Sequence, residues 1–339
     1  MEHQQDFIGR DVHWNVGGIE MYATLTLPDA DGSYPGLCFV AGSGPTDRNW
    51  ESPLLPGENG SGRLVAEAMA RAGFVTLRYD KRASGPHVQE NMTKLLGKVS
   101  MQSHVEELAG AVTALLACSE VDPDRIFALT NSEGAIHALH YQRQAREHRF
   151  AGFVLTGMPG RSMAAVLRSQ MVPQLQTLPN GDRLVRTYDA AITDIVAGQP
   201  LDLDDSLPET VRNVLTAFTV PANNPFAREL LGVDPAQLLV DVPEPALVLI
   251  GKKDIQVDWE ADGQALEAAL SGRTNVTFAY PENANHVLKY EPKERSQLPP
   301  AEVVAGYNSS DRHLDPDALA EIETWLKAHT DPMQEQTAT

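Results

Sequence analysis

Three residues of this chain have the type and placing for nucleophilic chemistry: Ser132, Asp254 and His286. A serine hydroxyl attacks poorly until a base takes its proton. Histidine does this well when a carboxylate fixes its tautomer. Ser132 stands in Ile126-Phe-Ala-Leu-Thr-Asn-Ser-Glu-Gly-Ala135. There an apolar run meets the serine and a helix-like segment leaves from Gly134, the pattern of a sharp strand-to-helix turn that exposes the hydroxyl. Glycine is usual two residues before such a serine, and here the residue is Thr130. Asp254 follows the apolar run 246–251, and His286, one of ten histidines, follows the run 275–280. Singly, each has a plainer reading as a helix N-cap, a turn residue or a solvated histidine. Together, at the ends of successive strand-like runs and in the order Ser, Asp, His, they favour a joint catalytic role. Asp258, four residues beyond Asp254, is the minor alternative for the acid.

Attack on a carbonyl creates an oxyanion that needs fixed N–H donors. The amide of Glu133 is one candidate. Ser43 is the other, with Gly44 as near alternative, in the loop Ala41-Gly-Ser-Gly-Pro-Thr-Asp-Arg48. A phosphate-binding reading of that loop fails, because no G-K-[ST] follows and no G-x-G-x-x-G opens a helix. Asp47, Arg48, Asp80 and Arg82 are expected to form an ion-pair network that supports the loop. Contact of Arg48 with an acidic substrate is the sharper alternative. His137 and His140 lie three apart, but no carboxylate at ligand spacing is apparent, so packing is favoured over a metal. Met163, Leu167, Met171 and Leu175 recur every fourth residue. Such a stripe is mostly core, although Met163 and Leu167 are candidates for the substrate pocket.

Elements must hold these residues in place. Two alternating segments flank Gly17-Gly18, a hairpin signal. GLCFVAG and ALVLIG read as strands buried on both faces, and FVTLRY, the segment before Ser132, FAGFVLTG and NVTFAY as further strands. Helices between them are signalled by Ser61 as an N-cap, a Ser103–Glu106 capping box, and Asp315-Pro316 before the last helix. Alternating strands and helices imply an α/β fold with a mostly parallel central sheet covered on both faces. Residues 161–240 carry helices without a strand and are too long for a loop, so a helical cap is expected there. The expected division is a catalytic domain of 1–160 and 241–330, a cap of 161–240 and a flexible tail of 331–339.

The chain has 339 residues, with 46 acidic and 27 basic side chains and a net charge of −19. That balance opposes nucleic-acid partners and anionic membrane surfaces. Cys38 and Cys118 cannot make a disulfide framework or a cysteine zinc site, and both sit in apolar runs. The N-terminus lacks the charged and apolar regions of a secretory signal, and no apolar stretch nears the roughly 18 residues of a membrane span. A cytoplasmic protein is the expectation.

The pieces GSGPTDR (42–48), LRYDKR (77–82), NSEGA (131–135), GKKDIQV (251–257) and NHVLK (285–289) resemble the α/β-hydrolase superfamily. The resemblance is to bacterial carboxylesterase-like members with a GSGPxDR loop after the third strand, over about residues 36–326. It implies an α/β-hydrolase fold with Ser132 as nucleophile, His286 as base, Asp254 as its orienter and the Ser43 and Glu133 amides as oxyanion hole. It also implies no metal or organic cofactor and a small-molecule ester as substrate. Thr130, Asn131 (where a His is common) and Ala83 depart from the pattern. Thioester, lactone, amide and C–C bond hydrolysis use the same triad, and a hydrolase fold that only binds a ligand is the alternative of another class. The sequence leaves the oligomeric state open, a homodimer included. The net charge favours a neutral ester.

Overall fold

Strands β1 (Phe7–Val16) and β2 (Ile19–Pro28) form the expected hairpin, with Val16 opposite Ile19. Gly17 and Gly18 both have positive φ, 59° and 83°, as a two-residue turn of this twist requires. Six strands follow: β3 (Tyr34–Val40), β4 (Val75–Tyr79), β5 (Val121–Asn131), β6 (Gly152–Thr156), β7 (Ala246–Leu249) and β8 (Val276–Ala279). They join one eight-stranded sheet in the order β1-β2-β4-β3-β5-β6-β7-β8. From β4 to β8 all neighbours are parallel, and β2 meets β4 antiparallel. The computed structural model describes residues 6–221, 223 and 225–330; the expected flexible tail of 331–339 lies outside them.

Alternate residues of β3 feed two cores. Cys38 and Val40 face one hydrophobic cluster, and Leu37 and Phe39 face another. This period of two, buried on both sides, is why the central strands read as unbroken apolar runs. Helix α1 (Ser61–Arg71) contributes Val65 and Met69 to the second cluster. Helix α2 (Val88–Leu95) was not apparent in the sequence. Helices α3 (Met101–Leu116) and α4 (Gly134–Gln144) supply Leu108, Val112, Ile136 and Leu139 to the first.

Two cap assignments need correcting. Helix α3 starts earlier than expected: Ser100 is its N-cap, and the reciprocal box pairs Ser100 with Ser103 rather than Ser103 with Glu106. Ser61 lies inside α1, and Gly60 holds the cap position. A Cβ on Gly60 would stand 2.2 Å from the Asn49 carbonyl oxygen, so only glycine fits there.

Between β6 and β7 run α5 (Met163–Gln176), α6 (Gly181–Ala197), α7 (Glu209–Thr219), α8 (Phe226–Leu231) and α9 (Pro235–Val240). Val172, Leu175, Leu184, Tyr188, Ile195 and Leu215 form a separate hydrophobic cluster of this segment. Helix α10 (Ala261–Ala269) lies between β7 and β8. A short helix α11 (Pro300–Ala305) precedes α12 (Pro316–Thr330). Asp315 caps α12 as expected, its Oδ1 accepting from the Ala318 amide at 2.8 Å. No helix among the described residues is long and apolar enough to cross a membrane.

The chain leaves β3 toward β4 on one side, while β5 lies on β3's other side. The connections diverge at this point. A crevice therefore opens at the carboxyl ends of β3 and β5, where open parallel sheets place their ligands. The loop 41–48 and Ser132 both stand there.

Candidate active site

Ser132 follows the last residue of β5 directly, and its φ is 55°. A non-glycine residue in this region stores on the order of 1–3 kcal/mol of strain. The surroundings hold it. The Ser132 amide donates to the Thr156 carbonyl at 2.8 Å. A Cβ on Gly134 would stand 2.3 Å from the Val40 carbonyl oxygen, so the helix start presses against β3 and only glycine is tolerated. Thr130 does not disturb this turn. It is an ordinary buried strand residue, paired with Val40 and Leu155, and its hydroxyl donates to the Val154 carbonyl at 3.3 Å.

Asp254 sits in the loop after β7, fully buried. Its Oδ1 accepts from the amides of Gln256 at 2.7 Å and Val257 at 2.9 Å. Its Oδ2 meets His286 Nδ1 at 2.7 Å. Asp258, the alternative acid, is used elsewhere. Its Oδ1 accepts from the Glu260 and Ala261 amides at the start of α10, and its Oδ2 pairs with Arg295 at 2.9 Å.

His286 lies on a tight turn after β8. Asn285 Oδ1 accepts from the amides of Val287 and Lys289, and Leu288 has φ 61°. Asn131 Nδ2 donates to the His286 carbonyl at 2.9 Å, tying this turn to the serine turn. Nδ1 is taken by Asp254, which leaves Nε2 for the cavity that the ring lines. That cavity, of about 140 Å³, is lined by Ser132 and His286 together with Gly42, Ser43, Asn131, Gln256 and Tyr307.

Gly42 brings the loop after β3 against the serine: a Cβ on it would lie 3.4 Å from Ser132 Cβ. The amides of Ser43 and Glu133 have no acceptor among the described residues. Beyond Ser43 opens a second cavity, of about 400 Å³. Its walls are largely apolar, with Met92, Phe218, Phe226 and Leu230 among them, and its floor includes Lys81, His104 and Glu133.

Arg48 supports the loop. Its Nε and one terminal nitrogen reach Asp80 Oδ2 at 3.0 and 2.7 Å, and its amide donates to Asp80 Oδ1 at 2.8 Å. Asp47 caps the same turn through the Asn49 and Glu51 amides. Burial pushes its carboxyl up to about 6 in spite of those bonds. Gly44 has φ 68°, a conformation that glycine adopts freely. Met163 and Leu167 are not part of either cavity. Met163 packs on the sheet-side cluster and Leu167 on the helical one, so both are packing residues.

Below the serine lies a buried polar group that the sequence did not reveal. Glu133 Oε1 meets His137 Nε2 at 3.1 Å. Glu133 is thus the carboxylate at helical spacing that the reading of His137 and His140 lacked. The His137 ring packs 4.3 Å from that of His104, whose Nδ1 meets Glu107 Oε2 at 3.0 Å. Arg82 Nε completes the row, donating to Glu107 Oε1 at 2.8 Å. Burial, helped by His104, lowers His137 to about 4. Burial disfavours the charged form of Glu107, yet His104 and Arg82 outweigh it and hold the carboxyl at about 2.

The chain matches no protein-family model. It is 24% identical over 302 residues to the esterase EstD of Thermotoga maritima, covering 89% of this chain and 64% of that protein, so it spans less than two thirds of this relative's length. Among solved structures, an esterase of Pyrococcus furiosus aligns with a TM-score of 0.52 at 17% identity, over 96% of this chain and 92% of the other. The α/β hydrolase GrgF from Penicillium aligns with a TM-score of 0.53 at 15% identity, over 95% and 99%. Proline iminopeptidase of Mycobacterium smegmatis aligns with a TM-score of 0.51 at 17% identity, over 94% and 98%. These likenesses are of fold, and this chain has the α/β-hydrolase fold.

Proposed function

We propose that this chain is a serine hydrolase of carboxylic esters, working through Ser132, His286 and Asp254. The observation that carries the reading is the buried His286–Asp254 bond of 2.7 Å, with the ring lining the same cavity as a serine held at φ 55°. Asp254, itself fixed by two amides, orients the imidazole with Nε2 toward the serine. His286 takes the Ser132 proton as the oxygen attacks the carbonyl carbon. The tetrahedral oxyanion is received by the free amides of Ser43 and Glu133. His286 then passes the proton to the leaving alcohol. Water repeats the two steps on the acyl-enzyme and releases the acid.

The substrate is a neutral ester. Arg48 is committed to Asp80 and Arg82 to Glu107, so neither is free to receive an anionic group. The net charge of −19 disfavours an anion further. The apolar cavity beyond Ser43 takes the substrate's apolar portion. Phe218, Phe226 and Leu230 reach it from the segment 161–240, which acts as a cap.

A fluorophosphonate probe tests the reading. The wild-type chain should be labelled at Ser132, and Ser132→Ala should be neither labelled nor able to hydrolyse short p-nitrophenyl esters. An unlabelled wild type, or a fully active Ser132→Ala, sinks it. Rates over esters, thioesters, lactones and amides then decide the bond.

A further inference from the structure

The loop after β3 carries the Ser43 amide, and nothing in its own sequence says which way that amide points. In a trans peptide the C=O and N–H of one unit point in opposite directions. The Ser43 N–H therefore points away from the Gly42 carbonyl with which it shares a peptide plane. That carbonyl is held: Lys81 Nζ donates to Gly42 O, and also to Gly44 O at 2.8 Å. Lys81 is itself buried, 4% exposed, in the segment just after β4. One ammonium thus grips the carbonyls of the two residues on either side of Ser43.

We propose that Lys81 is a positioning residue for the oxyanion hole, turning the Ser43 N–H toward the site of attack by holding the Gly42 and Gly44 carbonyls behind it. The inference rests on the serine-hydrolase reading above. Its basis is geometric. A Cβ on Gly42 would touch both Asn131 and Ser132, so this peptide is already seated against the serine turn and only its rotation remains to be fixed. A cation at the carbonyl end also polarises the peptide, which makes the N–H at the other end a stronger donor. The charge is balanced within the same buried group. Glu133 and Glu107 attract the Lys81 ammonium, against the burial that lowers its affinity for a proton. The same Glu133 supplies the second amide. Lys81 is given no part in the bond changes. It acts through the peptide it holds.

The arrangement separates transition state from ground state. Ser43 N–H meets full charge only in the tetrahedral intermediate, so misorienting it should lower kcat and leave KM nearly alone. Lys81→Met is expected to lower kcat at least about tenfold on a p-nitrophenyl ester, with KM within about twofold. A trifluoromethyl ketone, which forms a hemiketal oxyanion on the serine, should lose affinity by the same factor as kcat. Lys81→Gln, which keeps two neutral donors, should recover part of both. If Lys81→Met is folded and turns over like wild type, or loses rate with no loss of trifluoromethyl ketone affinity, the proposal is overturned. Should Lys81→Met fail to fold, Lys81→Gln and Lys81→Arg carry the same criterion: kcat and ketone affinity falling together supports it, and either falling alone overturns it. A wild type that neither cleaves esters nor reacts with fluorophosphonate removes the hydrolase reading itself. An active wild type with an unaffected Lys81→Met removes only this inference.

Discussion

His286 and His137 meet buried carboxylates in nearly the same way. His286 Nδ1 stands 2.7 Å from Asp254, and His137 Nε2 stands 3.1 Å from Glu133. Burial and pairing alone would give them the same standing. Their other nitrogens differ. The remaining nitrogen of His286 is left for the cavity shared with Ser132, whereas His137 Nδ1 is buried without a partner among the described residues. Their origin differs as well. Glu133 and His137 lie one helical turn apart on the same stretch of chain, so local geometry makes the pair. Asp254 and His286 come from the ends of two neighbouring strands, and only the sheet brings them together. A histidine works as a base when its free nitrogen reaches the proton to be moved; a paired carboxylate is not enough.

Breaking each pair in turn tests that distinction. The largest effect should come from His286→Ala, which removes the proposed base: kcat for ester hydrolysis should fall by about 10⁵–10⁶. A residual rate within a hundredfold of wild type would assign the proton to another group. Asp254→Asn keeps the shape but misdirects the imidazole tautomer, and a fall of about 10⁴ is expected. If Asp258→Asn costs as much as Asp254→Asn, the triad acid has been misassigned. A smaller effect belongs to Asn131→Ala. It frees the His286 carbonyl from the serine turn, and a displacement of the ring should lower kcat about tenfold. Measuring fluorophosphonate labelling rates of this variant sharpens the point, because serine reactivity should slow in parallel.

The two pairs also differ in how far the sequence foretold them. Asp254 is legible because it follows the apolar run 246–251, and His286 because it follows the strand-like run 275–280, so both stand just past strand ends. Ser132 was legible for the same reason, with Gly134 marking the close approach to Val40. The supporting polar group was not. Arg82 is expected in one network with Asp47, Arg48 and Asp80, but of these only Arg48 and Asp80 pair, and nothing local shows that Arg82 meets Glu107 25 residues on or that Lys81 turns inward to two carbonyls. Glu133 stands out in the sequence for its amide, while its side chain, one helical turn from His137, makes the buried contact. The stripe of Met163 and Leu167 reads mostly as core, and both side chains pack on hydrophobic clusters. The apolar walls of the cavity beyond Ser43 come from Met92 and from Phe218, Phe226 and Leu230, which converge from separate helical segments.

The smallest expected effect on rate is the one that best separates the pairs. His137→Gln keeps a donor for Glu133 and loses only the titrating ring, so kcat should stay within about threefold of wild type. Its signature lies in stability against pH. Burial lowers His137 to about 4 in the folded chain, against 6.5 as its ordinary value. Between those values the unfolded chain binds the proton that the folded chain refuses, so stability rises with pH across this window and is lost as pH falls. Asp47, raised to about 6, has the opposite sign, because its folded form holds a proton that the unfolded chain has released; its stabilising share fades as pH rises from 3.8. Asp47 is present in both proteins and cancels in their difference. From pH 7 to pH 5, wild type should therefore lose about 2 kcal/mol more stability than His137→Gln, read from denaturant midpoints at each pH. Equal slopes would mean that His137 charges freely in the folded chain. It would then be a base held in waiting beside the serine, and the contrast with His286 would fail.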